Sequence, residues 1–456
     1  MSRRLRAVVR TAAVTSALVA CTGTALAHAG GLSGAAPERM AVPTWLFLFT
    51  GGGVVGASFL LASFATDRAF IEHVHELGRR VEVPEAALAW AGRLVGLGGL
   101  LLVVVSGVLG PTAPMESAAI VVVWAGWWAG YAMTTYLVGN TWPAVDPFRT
   151  LARPLGDGVR EYPDRLGAWP SVAFLLVLVY VEVTSPLADD PRVLAAVALA
   201  YLGVALAGSA AFGVTDWFER VDPIARIFRL YGAVAPVTRT DDGLRLRLPG
   251  AGLVEDVLAD RSEVGFVVAL VWATTFDGFT STPVWTTLAD AVVPAGVPAP
   301  VLYAGALVAG YLAFLAVYRA SARVARRTAP TYLSSADIAR LFAPSLLAIA
   351  AAYHLAHYLT YFLALSPLLV HALVTPLSAG TVPGLTIPGW LQAVPVASVL
   401  AGHLLAIWVA HSIAFETFPS RIQALRSQYA VTLVMVLYTM TSLWIVTQPE
   451  LPTPYV

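Results

Sequence analysis

The chain has 456 residues, 58% hydrophobic and only 12% charged, with a mean hydropathy of +0.73 and a formal net charge of zero. A soluble domain is about 25% charged, so composition excludes a soluble globular protein, and the neutral balance speaks against a nucleic-acid binder. All 28 basic residues are arginine, which excludes P-loop and Schiff-base lysines, and the single cysteine, Cys21, excludes an intramolecular disulfide or a cysteine-based metal site.

The first 27 residues read as a secretory signal: a basic start with Arg3 and Arg4, a short apolar run, then small residues. Cleavage after Ala27 in "ALA" is the favoured ending, in competition with lipidation of Cys21 in "LVAC". Cleavage there would make His28 the first residue, and an amine beside an imidazole suits Cu(II). The plainer reading of His28 is an arbitrary residue in a tail.

At ~20 apolar residues per crossing, residues 28–456 form a single membrane domain. The fold class is all-α: a polytopic helical bundle in the lipid bilayer with about ten spans. These are expected at 43–65, 90–110, 117–139, 168–186, 193–214, 264–279, 299–318, 342–364, 391–415 and 428–447. Arginines fall almost entirely in alternate loops, with only Arg39 and Arg192 in the others, so both mature ends are expected on the extracytoplasmic side. Glycines four apart, as in Gly92/Gly96 and Gly126/Gly130, are expected to let helices approach closely. "VDPFRTLARPLG" after the third span echoes "VDPIARIFRLYG" after the fifth, and both read as short basic helices at the inner surface. The polar cytoplasmic loop at 237–262 is long enough for a hairpin and too short for a catalytic domain.

An ionisable group inside a span is costly and marks a functional candidate. In "SLLAIAAAYHLAHYLTYFLAL", His354, His357, Tyr358 and Tyr361 share one helix face. In "VLAGHLLAIWVAHSIAF", His403 sits near mid-membrane and His411 two turns further on. Asp277 precedes Gly278, which reads as a helix stop. Glu182 lies about one turn from the outer end of its span and could simply snorkel. Each alone has a plain account, since a buried histidine usually hydrogen-bonds a neighbouring helix. Taken jointly, imidazoles and carboxylates at similar depth, all toward the outside, form a ligand set for zinc, copper or iron. His354 and His357 at i, i+3 would point at one ion, with His403 as a third nitrogen. His371 is a weaker extra ligand, and His73 and His75 read as solvated.

Several segments, taken in order, resemble a family of multi-pass membrane proteins of actinobacteria and archaea labelled fenitrothion hydrolase. They are "AHAGG…VPTWLFLF", "YPDRLGAWP", "FDGFTSTPVW", "HLAHY" and "AGHLLAIWVAH…RSQYAVTLVMV". The resemblance implies hydrolysis of an organophosphate ester. These residues could support it through a metal-bound hydroxide, with Asp277 or Glu182 as base. The sequence alone leaves other classes open: a proton-coupled secondary transporter using the same groups, a haem-bearing electron carrier with His354 and His403 as axial ligands, or a non-catalytic scaffold.

Overall fold

The computed structural model describes residues 85–448 apart from 241, 242 and 381, together with 78–81, 451–456 and the pairs 52–53, 56–57 and 59–60. The signal region, Cys21, His28, His73, His75 and most of the first expected span lie outside the described residues.

The chain is a helical membrane protein. Seven described helices are long and apolar enough to cross a bilayer. In chain order, α1 is Glu85–Leu109 and α2 is Ala118–Leu137. The short α3 is Pro147–Ala152, followed by α4 at Trp169–Thr184 and α5 at Pro191–Phe212. The short α6, Pro223–Gly232, precedes α7 at Arg261–Thr280, α8 at Pro283–Val292 and α9 at Ala299–Thr328. The last three are α10 at Ser335–Val374, α11 at Val394–Thr417 and α12 at Arg421–Thr447.

Burial sorts these helices into a centre and a perimeter. α7, α10 and α11 are mostly enclosed. α1 turns Trp90, Leu94, Val95, Leu101 and Leu109 outward, as a lipid-facing helix does. The glycine pairs act as contact points. A Cβ on Gly96 would lie 1.6 Å from the Val145 carbonyl oxygen, and one on Gly130 would lie 2.6 Å from Phe362 Cε2. Gly96 thus lets α1 meet the Val145 backbone directly, and Gly130 makes room on α2 for the Phe362 ring of α10.

Two helix ends differ from the sequence reading. α7 runs through Gly278 to Thr280 instead of stopping at the glycine. A Cβ on Gly278 would lie 2.8 Å from Ile445 Cγ2, so this glycine serves close packing against α12. α10 extends well past 364 to Val374, which puts His371 in a last helical turn rather than a loop. Its 40 residues span ~60 Å, about twice a hydrocarbon core. Its start is fixed by a capping box between Ser334 and Asp337.

The twin V-D-P segments fold alike. Asp146 and Asp222 are the N-caps of α3 and α6, each followed by proline at the first helical position. Asp146 Oδ1 accepts from the backbone N–H groups of Phe148 and Arg149, at 2.9 and 3.1 Å. Asp222 accepts from Ala225 N–H at 2.8 Å and from the Tyr201 hydroxyl at 2.7 Å. At the same end, Glu263 at the start of α7 takes hydrogen bonds from both Arg226 and Arg229 of α6. Arg226 also reaches Ser171 of α4 at 3.3 Å, so one guanidinium ties three helices. Beside them lies an antiparallel sheet of β1 (Gly78–Val81), β2 (Val237–Thr240) and β3 (Gly243–Arg247), in the order β1-β3-β2. The polar loop therefore forms a hairpin, and β1 joins it from the segment before α1.

Burial pushes the Asp146 carboxyl up to about 8, with the Asp222 charge nearby adding to the shift. Burial likewise raises Asp222 to about 6. The folded chain therefore holds these protons more tightly than the unfolded chain, whose carboxyls sit near ~3.9. Stability from this source is full below that value and is lost as pH rises through about 6 and about 8. Thermal unfolding in detergent is expected to fall across this window. Asp146→Asn keeps the cap but removes the charge, so it should flatten the decline; an unchanged pH profile would contradict the assignment.

Candidate functional site

The site is built on the middle of α10. α2 faces it with an unusual backbone: Val122–Tyr131 winds as a π-helix, a form rare in long runs and common at functional positions. Gly126 and Gly130 bring this wide segment against α10. Trp128 and Tyr136 then reach the polar stripe.

His354 is buried at 1% exposure in an aromatic box. Its ring lies 5.5 Å from Trp128, 5.7 Å from Tyr136, 6.0 Å from Tyr231 and 4.6 Å from Tyr358. Nδ1 is 2.9 Å from the Tyr136 hydroxyl. Nε2 is buried and makes no hydrogen bond of ordinary geometry, although the Trp128 backbone lies near the ring. Trp128 Nε1–H donates to the Tyr358 hydroxyl at 2.9 Å. Tyr358 lies between the two imidazoles, 4.6 Å from His354 and 5.2 Å from His357.

His357 turns the other way and stacks on Tyr353, with ring centres 5.7 Å apart and planes 20° from parallel. The sequence reading placed both histidines on one face. They do adjoin, as residues three apart on a helix should, with Tyr358 beside both rings; His354 faces α2, and His357 packs on Tyr353 of its own helix.

Glu182 of α4 and Asp277 of α7 are electrostatic neighbours. Tyr358 senses both carboxyls, and Tyr353 senses Asp277. The two acids lie roughly 20 and 24 Å along their helices from the arginine-rich ends. Both are half-buried, as are Tyr353 and His357. Four helices thus place two carboxyls, two imidazoles and three phenols in one polar region: α4, α7, α10 and, through Trp128 and Tyr136, α2.

His403 sits apart from this group. Its Nδ1 is 2.7 Å from the Val399 carbonyl of its own helix, and its Nε2 is engaged by the Thr439 hydroxyl of α12. It lines a cavity of about 30 Å³ with Thr274, Tyr353, Tyr438 and Thr439. His411 is bonded through Nδ1 to the Ile407 carbonyl at 3.1 Å and packs on Phe59 at 5.3 Å, the ordinary buried-histidine role. His371 contacts Thr375 in the last turn of α10, far along the helix from His354.

Among the described residues, no three His, Cys, Asp or Glu side chains are grouped so as to hold a metal ion. Both ring nitrogens of His403 are engaged, by the Val399 carbonyl and the Thr439 hydroxyl, so neither is free to serve as a third ligand beside His354 and His357.

Comparison of the chain with family models, curated proteins and solved structures finds no match.

The sequence reading missed Trp128, Tyr136, Tyr231 and Tyr353. For Trp128 and Tyr136 the signal is an excess of aromatic residues with polar tips in the third span, "WAGWWAGYAMTTY", which reads equally well as bulk hydrophobicity. Tyr136→Phe would leave His354 with no hydrogen bond on either ring nitrogen. It is expected to cost about 1–3 kcal/mol, read as lowered thermal stability in detergent, whereas Tyr332→Phe, at a fully exposed tyrosine, should have no effect.

Proposed function

We propose that this protein is a proton-coupled secondary transporter of about ten spans, with the arginine-rich end in the cytoplasm and both mature termini outside. The observation that carries the reading is the pairing of Glu182 with Asp277 across α4 and α7, beside the Tyr353, His354, His357 and Tyr358 cluster. Two carboxylates within electrostatic reach of one another in a low dielectric oppose each other's charge, and in this reading the pair takes up and gives up a proton. Chains of Asp, Glu and His inside membranes mark proton relays. Half-burial of both acids well inside the bundle fits a cleft that opens on the side away from the arginines, because an acid facing lipid would be far more costly.

The hydrolytic reading implied by the resemblance needs a metal-bound hydroxide and hence a third donor beside His354 and His357. The described residues do not group three such side chains. Among the described residues the donors for zinc or copper are therefore two imidazoles without a grouped third, and no step through a metal is assigned to Asp277 or Glu182. An axial pair for haem would need a free ring nitrogen on His403, and both are engaged.

The test uses vesicles containing the full protein and a trapped pH dye. These are challenged in turn with small carboxylic acids, small amines, inorganic phosphate and an organophosphate ester. At least one probe is expected to drive proton movement above that of empty vesicles. Glu182→Gln and Asp277→Asn should each reduce this movement by tenfold or more while leaving the protein folded. Proton movement equal to that of empty vesicles with every probe would overturn the proposal.

A further inference from the structure

The cavity beside His403 lies between α7, α10, α11 and α12, at the depth of Tyr353. Its volume of about 30 Å³ has room for one or two waters, and a buried water needs two to four polar partners. The lining supplies them. The hydroxyls of Thr274 and Tyr438 donate to the Val271 and Phe314 carbonyls, at 3.0 and 2.8 Å, and keep lone pairs with which to accept. Tyr353 joins the cavity to Asp277. The titratable groups on the lining are His403, Tyr353 and Tyr438; α7 contributes Thr274, and no arginine or carboxylate is among the lining residues.

A count of hydrogens at His403 adds the second observation. The Val399 carbonyl can only accept, so Nδ1 carries a hydrogen. Nε2 faces the Thr439 hydroxyl, and that same hydroxyl lies 2.7 Å from the Met435 carbonyl. The hydroxyl has one hydrogen and two acceptors within reach. With a neutral ring, Thr439 donates to Nε2. With a charged ring, Nε2–H donates to Thr439 and the hydroxyl turns to Met435. Both states keep the ring fully hydrogen-bonded, and the change between them takes one added proton and the rotation of one hydroxyl.

We infer that His403 is a second proton-carrying station, reached from Asp277 through water held in this cavity. This inference rests on the proton-coupled reading for its purpose, but not for its chemistry. The transfer balances: cavity water gives a proton to Thr439 Oγ1 as Thr439 gives its own to Nε2. The Asp277 carboxyl restores the proton to the water through Tyr353, leaving a carboxylate and an imidazolium. The site thus takes water and a proton in place of a metal.

The experiment is water-edited solid-state NMR of the full protein in lipid bilayers with 15N-labelled histidine, the His403 signals being identified by their loss in His403→Gln. Magnetisation is expected to pass from water to the His403 ring. It should be lost in Ala350→Phe, which fills the cavity from its lining. In the vesicle assay, Thr439→Val should slow proton movement by tenfold or more, and Thr439→Ser, which restores a hydroxyl, should recover it. A His403 ring that receives no magnetisation from water would overturn the inference, as would unchanged proton movement in Thr439→Val. If wild-type vesicles move no protons while His403 is wet, the transporter reading fails and the water site stands. If His403 is dry while Glu182→Gln and Asp277→Asn still abolish movement, the reverse holds.

Discussion

A polar group carried into hydrocarbon must find its partner on another segment of protein, because lipid offers none. That constraint organises the centre of this bundle. α10 brings His354, His357, Tyr353 and Tyr358 to mid-membrane, and its neighbours answer with matched groups. α2 supplies Trp128 and Tyr136, α4 supplies Glu182, and α7 supplies Asp277. α11 and α12 close a smaller site of their own through His403 and Thr439. The perimeter helices carry no such obligation and meet lipid with leucine, valine and tryptophan.

The two ends of the bundle are chemically unlike. At the arginine-rich end, Glu263 is gripped by two guanidinium groups and Arg226 is fully enclosed. The capping aspartates of the twin V-D-P segments are buried beside them. Towards the other end, Glu182 and Asp277 stay half-buried beside phenols and imidazoles. α4 and α7 run from the tied end to the two acids.

Much of this was legible in the sequence, because hydropathy and arginine placement depend on composition over long windows. The glycine pairs were also legible: Gly96 and Gly130 lie where another chain segment leaves no room for a Cβ. Asp-Pro at 146–147 and 222–223 spelled out a cap and a first turn. What was not legible was which helices are neighbours. His403 stood at the right depth, yet its partner Thr439 is 36 residues away, and no local pattern links them. The shared face of His354 and His357 was a matter of helix geometry, whereas the aromatic wall that α2 sets against His354 was not. Gly278 looked like a helix stop because a packing glycine and a terminating glycine are the same letter.

The central claim is that Glu182 and Asp277 hold a proton between them inside the membrane. Infrared spectroscopy of the protein in bilayers at neutral pH tests this most directly through the carbonyl stretch of a protonated carboxylic acid. The account predicts such a band in the wild type, shifted by deuterium exchange and lost or displaced in both Glu182→Gln and Asp277→Asn. A wild-type spectrum whose protonated-carboxyl region is unaffected by either substitution would contradict it.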